Sequence, residues 1–225
     1  MSTPESPEGG QPLPPLDVRP TDRDRVPPRQ SRTTKWPVLH NGDVPAVDPA
    51  TWRFELRGLV DAPATFTLDE IHAMPRQLTR CDIHCVTRWS RLDNDFEGVS
   101  VQHLLRLARP RPAATHVLVF AEEGFTTNLP LADLDRPGNV LAWRHDGRDL
   151  TPDHGWPMRL VVPHLYFWKR AKWVRGFEFL DAERAGFWER NGYHMYGDPW
   201  REQRYGGLDV KQWVINTFRR NSKST

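Results

Sequence analysis

Residues 81–90 read Cys81-Asp82-Ile83-His84-Cys85-Val86-Thr87-Arg88-Trp89-Ser90. The stretch places a thiol at the end of a short apolar run and follows it at once with polar and aromatic residues. Residues 78–86 are predicted to form a strand that delivers Cys85 to its end. Cys81 lies four positions earlier on the same strand, hence on the same face but roughly 13 Å away, so the pair cannot share a metal or a disulfide unless the strand bends. A cysteine in such a place is either a small buried hydrophobe or a ligand. A zinc site needs three or four ligands, and His84-Cys85 with distant histidines lacks zinc-like spacing. A Cys–His dyad of a hydrolase or transferase stays open, without a signature to support it.

Working outward, Trp52, Phe54 and Leu56 alternate with polar residues and predict a half-buried strand ending at Gly58. Thr67-x-x-Glu70 predicts a capping box opening a short helix that Pro75 stops. Ser100 is positioned to cap a helix whose apolar face is Val101, Leu104, Leu105 and Ala108. Val117–Phe120 predicts a buried strand, Glu123-Gly124 a turn, and Asp146-Gly147 a hairpin after Val140–Trp143. Met158–Val162 and Lys172–Leu180 add two strands. Many strands, few helices and no regular βαβ alternation predict an α+β fold with mixed and antiparallel sheets.

Composition bounds the rest. The chain has 225 residues, 38% of them hydrophobic, and its 10 Trp and 10 Phe supply large apolar areas for a core. A balance of 31 basic against 29 acidic residues, net +2, argues against general nucleic-acid binding. No run of about 18 apolar residues is present, so no membrane span is expected. With no secretory apolar stretch and only 2 cysteines, the expectation is a cytoplasmic protein. Residues 1–33 hold 8 of the 21 prolines among Ser, Gly, Asp and Arg and read as a disordered tail. The folded domain is then expected to occupy residues 34–225.

The segment His84-Cys85-Val86-Thr87-Arg88-Trp89-Ser90 resembles the cysteine motif of the sulfite-oxidase-like molybdopterin oxidoreductases. The likeness is closest to the small, often bacterial branch related to the methionine-sulfoxide reductase catalytic subunit. A second motif agrees in order: His154-Gly155-Trp156-Pro157-Met158-Arg159-Leu160-Val161-Val162-Pro163, followed by Lys172-Trp173. The resemblance implies the sulfite-oxidase molybdopterin-binding fold and a molybdenum–molybdopterin cofactor, with Cys85 as the one protein ligand to the metal. Soft thiolate suits such a centre. It also implies a cradle for the phosphorylated pterin: Arg159, Lys172, the backbone at Arg170 and Ala171, and His154. Without that likeness, Arg159 and Lys169-Arg170 would read as a solvated basic face. Trp36-Pro37-Val38-Leu39-His40-Asn41 resembles the family's N-terminal cofactor contact, which implies roles for His40 and Asn41.

Two-electron oxygen-atom transfer on a small oxyanion or an S- or N-oxide is the implied reaction. Arg88, close behind Cys85, is a candidate catalytic residue for drawing in an oxyanion, or else a surface salt-bridge partner. True sulfite oxidases follow the cysteine with a small residue, Gly and Asn, whereas this chain has Val86-Thr87-Arg88, which points away from sulfite. After the strand at 117–120, the hydroxyl residue found in some relatives is replaced by Ala121-Glu122, and Phe125–Pro130 is a candidate active-site loop. The block Phe187-Trp188…Tyr193-His194-Met195-Tyr196 is expected to pack the core rather than roof the pocket. With no haem or flavin motif, the electrons are expected to pass to or from an external donor or acceptor protein. The alternative is a non-catalytic cofactor- or partner-binding protein on the same fold.

Overall fold

The computed structural model describes residues 14–206. Two sheets carry the fold. The first holds β1 (Leu16–Asp17), β2 (Ser31–Arg32), β5 (Arg76–His84), β6 (Trp89–Ser100), β9 (Val140–His145), β10 (Arg148–Asp149) and β11 (Arg159–Val161). Its spine runs β1-β5-β6-β9-β10, with β11 paired to β9 and β2 to β6. The second, in the order β4-β3-β12-β7-β8, holds β3 (Arg53–Gly58), β4 (Ala64–Thr67), β7 (His116–Ala121), β8 (Thr126–Pro130) and β12 (Val174–Leu180). Most pairings are antiparallel, but β1 on β5, β2 on β6 and β12 on β3 are parallel. The class is α+β, as the spacing of elements predicts.

Among the described residues three short helices connect strands, α1 (Leu68–His72), α2 (Val101–Ala108) and α3 (Leu131–Leu134), and a fourth, α4 (Phe187–Arg190), follows β12. The capping box forms as predicted, with the Thr67 hydroxyl accepting from the Glu70 N–H and the Glu70 carboxylate accepting from the Thr67 N–H. In α2 the stripe Val101, Leu104, Leu105 and Ala108 is buried, whereas Ser100 stands at the N-cap without a side-chain cap bond. The stripe packs into the larger apolar cluster, beside Trp52, Phe54, Val117 and Phe177. Among the described residues no helix is long and apolar enough to cross a membrane.

Two departures from simple strand alternation shape the first sheet. The β5–β6 register shifts between Cys81 and Ile83, so the strand bends where Cys81 and Cys85 were expected to share a face. A second shift lies between Glu97 and Gly98, where any Cβ on Gly98 would meet the Leu141 carbonyl oxygen at 2.0 Å. Only glycine lets β9 approach there. A smaller apolar cluster, including Cys81, Ile83, Cys85, Phe96, Val161 and Phe167, fills the space behind the end of β5.

Residues upstream of the expected boundary at 34 also take part in the sheet. Leu16–Asp17 and Ser31–Arg32 add to the sheet, the Val18 N–H donates to the Arg80 carbonyl, and Arg25 forks onto buried Asp82. A proline-rich, weakly apolar segment cannot build a core of its own, but it can satisfy its backbone and charges against a sheet that already exists. Residues 1–13 and 207–225 of the expected tail and domain lie outside the described residues.

Candidate active site

The hairpin between β5 and β6 turns over Cys85, Val86, Thr87 and Arg88. The Arg88 N–H donates to the Cys85 carbonyl and the Cys85 N–H to the Trp89 carbonyl, with Arg88 in the left-handed region at φ 71°. The turn presents the Cys85 sulfur to a cavity of about 740 Å³. Its Sγ lies 3.1 Å from the Thr87 hydroxyl, and burial pushes the thiol up from its ordinary value. The adjacent His84 is bonded to Ser90 instead, and burial pushes it down to about 3, so it is neutral. No histidine among the described residues hydrogen-bonds Cys85, which removes the dyad geometry a Cys–His hydrolase requires.

The same cavity is lined by His40, Asn41, His154, Arg159, Arg170, Ala171 and Lys172. Every residue expected at the cofactor therefore meets Cys85 in one space, although they come from four separate parts of the chain. Arg88 does not line it: its left-handed backbone closes the turn and its side chain is exposed. The oxyanion-steering role expected of Arg88 is not supported by that placement. Cys81 is buried, with its thiol pushed up to about 11 by desolvation, and lies 4.0 Å from Arg170 Nη1.

The cations of the cavity are treated unequally by the protein. Arg170 gives Nε to the Val162 carbonyl and Nη2 to the carbonyls of Asp82 and Pro163, which ties the strand of Cys85 to the segment after β11. Arg159, only 2% exposed, gives Nη1 to the His154 carbonyl at 2.8 Å while its buried Nε has no acceptor. Its guanidinium lies 4.1 Å from the Phe167 ring, and burial together with Arg170 pushes it down to about 9, so it remains a cation at neutral pH. Lys172 donates to the Asp153 carbonyl and is pushed down to about 7 by burial and by Arg159. Gly155, at φ 109°, permits this approach, since a Cβ there would stand 3.0 Å from the Lys172 Cβ. The Trp36 indole N–H is likewise buried without a partner. Desolvated donors and cations lacking a carboxylate form a receptor for an anion.

Phe125, from the loop expected at the site, lines the cavity, and beside it stand aromatic residues that the sequence reading did not assign there. Trp168, Phe187, Trp188 and Tyr193 form this aromatic wall with it, so the aromatic block after residue 186 is part of the site rather than core packing alone. Trp188 stacks on Tyr193 at 4.9 Å, and Tyr193 meets Trp168 edge-on at 5.0 Å. This wall is held by a fully buried ion pair, Lys169 to Glu189 at 2.7 Å. Lys169 also donates to Asn128 and to the Met195 carbonyl, and Trp168 Nε1 donates to Glu189. The density of aromatics in the sequence was the available signal; their convergence on Cys85 was not.

A cavity that joins one buried thiol to an uncompensated cationic cradle suits an anionic organic ligand. A model of the oxidoreductase molybdopterin binding domain matches residues 41–188, and the chain belongs to that family. It is a molybdopterin-binding oxidoreductase whose cofactor is molybdenum–molybdopterin. The chain is 52% identical over 182 residues to "Uncharacterized oxidoreductase YuiH" of Bacillus subtilis (strain 168), covering 80% of this chain and 92% of that one. It is 32% identical over 158 residues to the "Putative protein-methionine-sulfoxide reductase subunit YedZ1" of Azospira oryzae, covering 69% of this chain and 59% of the relative. The sulfane dehydrogenase SoxCD of Paracoccus pantotrophus matches in fold, with a TM-score of 0.60 at 22% identity over 68% of this chain and 43% of that one. The chain thus spans little more than half of some relatives that it matches.

Proposed function

We propose that the protein carries out two-electron oxygen-atom transfer at molybdenum ligated by Cys85, on a neutral S- or N-oxide rather than a small oxyanion. The observation that carries the reading is the convergence of the Cys85 thiol and the half-satisfied Arg159 on one cavity. When bound, the molybdenum centre supplies the change of two oxidation levels and the site at which oxygen is exchanged. Cys85 supplies a soft ligand; burial disfavours its thiolate, so the charged form needs an adjacent metal cation to hold it. Among the described residues no group of three His, Cys, Asp or Glu converges as a metal site, which fits a metal held chiefly by an organic ligand. Arg159 and Lys172 hold the anionic end of the cofactor, with His154 fixed between the Thr151 hydroxyl and the Trp36 carbonyl.

The choice of substrate rests on what remains. Arg170 is committed to carbonyls, Arg159 and Lys172 to the cofactor, and Arg88 is outside the cavity. The substrate side is left to Phe125, Phe187, Trp188 and Tyr193, with Glu122 and Glu123 beside them. Aromatic faces and carboxylates favour a neutral molecule with an apolar body over nitrate or sulfite. The similarity to a putative protein-methionine-sulfoxide reductase subunit supports the same class. The electron donor is a separate protein.

The test is metal analysis of the protein made in a host that synthesises molybdopterin, beside Cys85→Ala, with turnover of methionine sulfoxide, trimethylamine N-oxide, nitrate and sulfite. The expected result is about one molybdenum per chain, turnover of one of the two neutral oxides, and loss of turnover in the variant. Molybdenum absent from the wild type would instead support a non-catalytic binding protein; turnover only of nitrate or sulfite would overturn the substrate class.

A further inference from the structure

The segment before residue 34 does more than lengthen a sheet: its last residues close on the turn that carries Cys85. Gln30 donates from Nε2 to the Cys85 carbonyl at 3.0 Å, and the Ser31 N–H donates to the Arg88 carbonyl at 3.0 Å. From the far end of the described chain, buried Arg204 donates from Nη1 to the Val86 carbonyl at 2.6 Å and from Nη2 to the Pro28 carbonyl at 3.5 Å. The carbonyls of Cys85, Val86 and Arg88 are thus each held from outside the turn. Two donors, the Arg88 N–H and the Gln30 amide, use both lone pairs of the Cys85 carbonyl. Farther back, Arg25 anchors the arm on Asp82 through bonds of 2.9 and 2.6 Å.

We propose that Gln30 is a positioning residue for the Cys85 sulfur. With the Cys85 N–H already held by the Trp89 carbonyl, fixing the peptide plane after Cys85 restrains the rotation between them and so the direction of the Cα–Cβ bond, while the Thr87 hydroxyl at 3.1 Å restrains the sulfur about that bond. Contacts one step removed from a metal orient its ligands in this way. A side-chain amide held on an otherwise sparse segment gives the turn a restraint that its own four residues lack. The inference rests on Cys85 being the metal's ligand.

The test uses the full chain with Gln30→Met, which keeps the length of the side chain and removes the donor. In protein made without molybdopterin, alkylation of Cys85 by iodoacetamide should quicken about two- to tenfold, the opening expected on losing one hydrogen bond. In the loaded enzyme, the g values of the Mo(V) electron paramagnetic resonance signal should shift at unchanged molybdenum content. Asp17→Asn, which weakens the arm at its other end, should lower the melting temperature and move neither readout. Wild-type alkylation and g values in Gln30→Met would overturn the proposal, as would equal shifts in Asp17→Asn. If Gln30→Met does not accumulate, Gln30→Glu serves. Its carboxylate cannot donate at neutral pH but can when protonated, so the wild-type signal should return as pH falls; a signal indifferent to pH would overturn the positioning role. Cys85→Ser separates the two readings, since wild-type g values there would sink the ligation itself, whereas altered g values there with none in Gln30→Met would sink only the role of Gln30.

Discussion

Lys169 and Arg159 stand ten residues apart, both are buried, and the protein treats them in opposite ways. Lys169 is surrounded: a carboxylate, a side-chain amide oxygen and two carbonyls converge on its ammonium group. Arg159 has one carbonyl, an aromatic face and an Nε with nothing to bond. The first arrangement is closed and serves structure, pinning the aromatic wall. The second is open: among the described residues the Arg159 Nε has no acceptor, as the proposed role in holding an anion requires. Burial alone does not distinguish a structural cation from a binding one; the count of satisfied donors does.

The largest effect expected from breaking this contrast is at the closed cation. Lys169→Met leaves Glu189 as an unpaired buried carboxylate and should cost about 3–5 kcal/mol in denaturant unfolding. The double variant Lys169→Met/Glu189→Leu should recover most of that loss, because no charge is then stranded. The open cation should behave the other way. Arg159→Met should leave the cofactor-free protein as stable as the wild type or more so, while retention of molybdopterin through gel filtration falls about tenfold to a hundredfold, the loss of a charged hydrogen bond. A cofactor-free Arg159→Met protein that melts several degrees early would remove the distinction.

Lys172 sharpens the comparison through pH. Folding brings it from its ordinary value of 10.5 to about 7, chiefly by burial. Between those values the unfolded chain binds the extra proton, so the cofactor-free protein should gain stability as pH rises from about 7 towards about 10. Affinity for an anionic ligand should weaken over the same interval, as the ammonium group loses its proton. Melting curves across that range, flattened in Lys172→Met, check the first statement, and pterin retention checks the second. The smallest effect belongs to a cation already in water: Arg111, paired to Asp61 with both side chains more than half exposed, should give Arg111→Ala a change of no more than about 1 kcal/mol.

Local rules made much of this molecule legible. The stripe of α2, the Thr67 capping box and the alternation at Trp52, Phe54 and Leu56 are each decided within a few residues, and each forms as read. Cys85 was placed at its strand end by the apolar run before it, and the cavity residues from His40 to Lys172 by family likeness. What escaped depended on contacts far apart in sequence. Two-residue strands such as Leu16–Asp17 leave no period to detect, and the pairing of Arg25 with Asp82 spans 57 positions. The bend between Cys81 and Ile83 spoils the two-residue repeat on which the shared face of the cysteines was argued. Arg88 looked available for substrate because a left-handed backbone at a non-glycine residue has no mark in the sequence. The aromatic wall includes Trp188, next to Glu189, whose ion-pair partner Lys169 is 20 residues away in sequence.

The arm that pairs with Thr79 and Arg80 also covers the outer edge of β5 there. During synthesis it leaves the ribosome before the strand on which it docks. Until β5 and β6 have followed, that arm has no seat, and a newly formed hairpin presents open backbone donors and acceptors along β5. Closing the arm occupies β5 at Thr79 and Arg80 and leaves a two-residue strand as the edge in its place, too short a template for a second chain to extend.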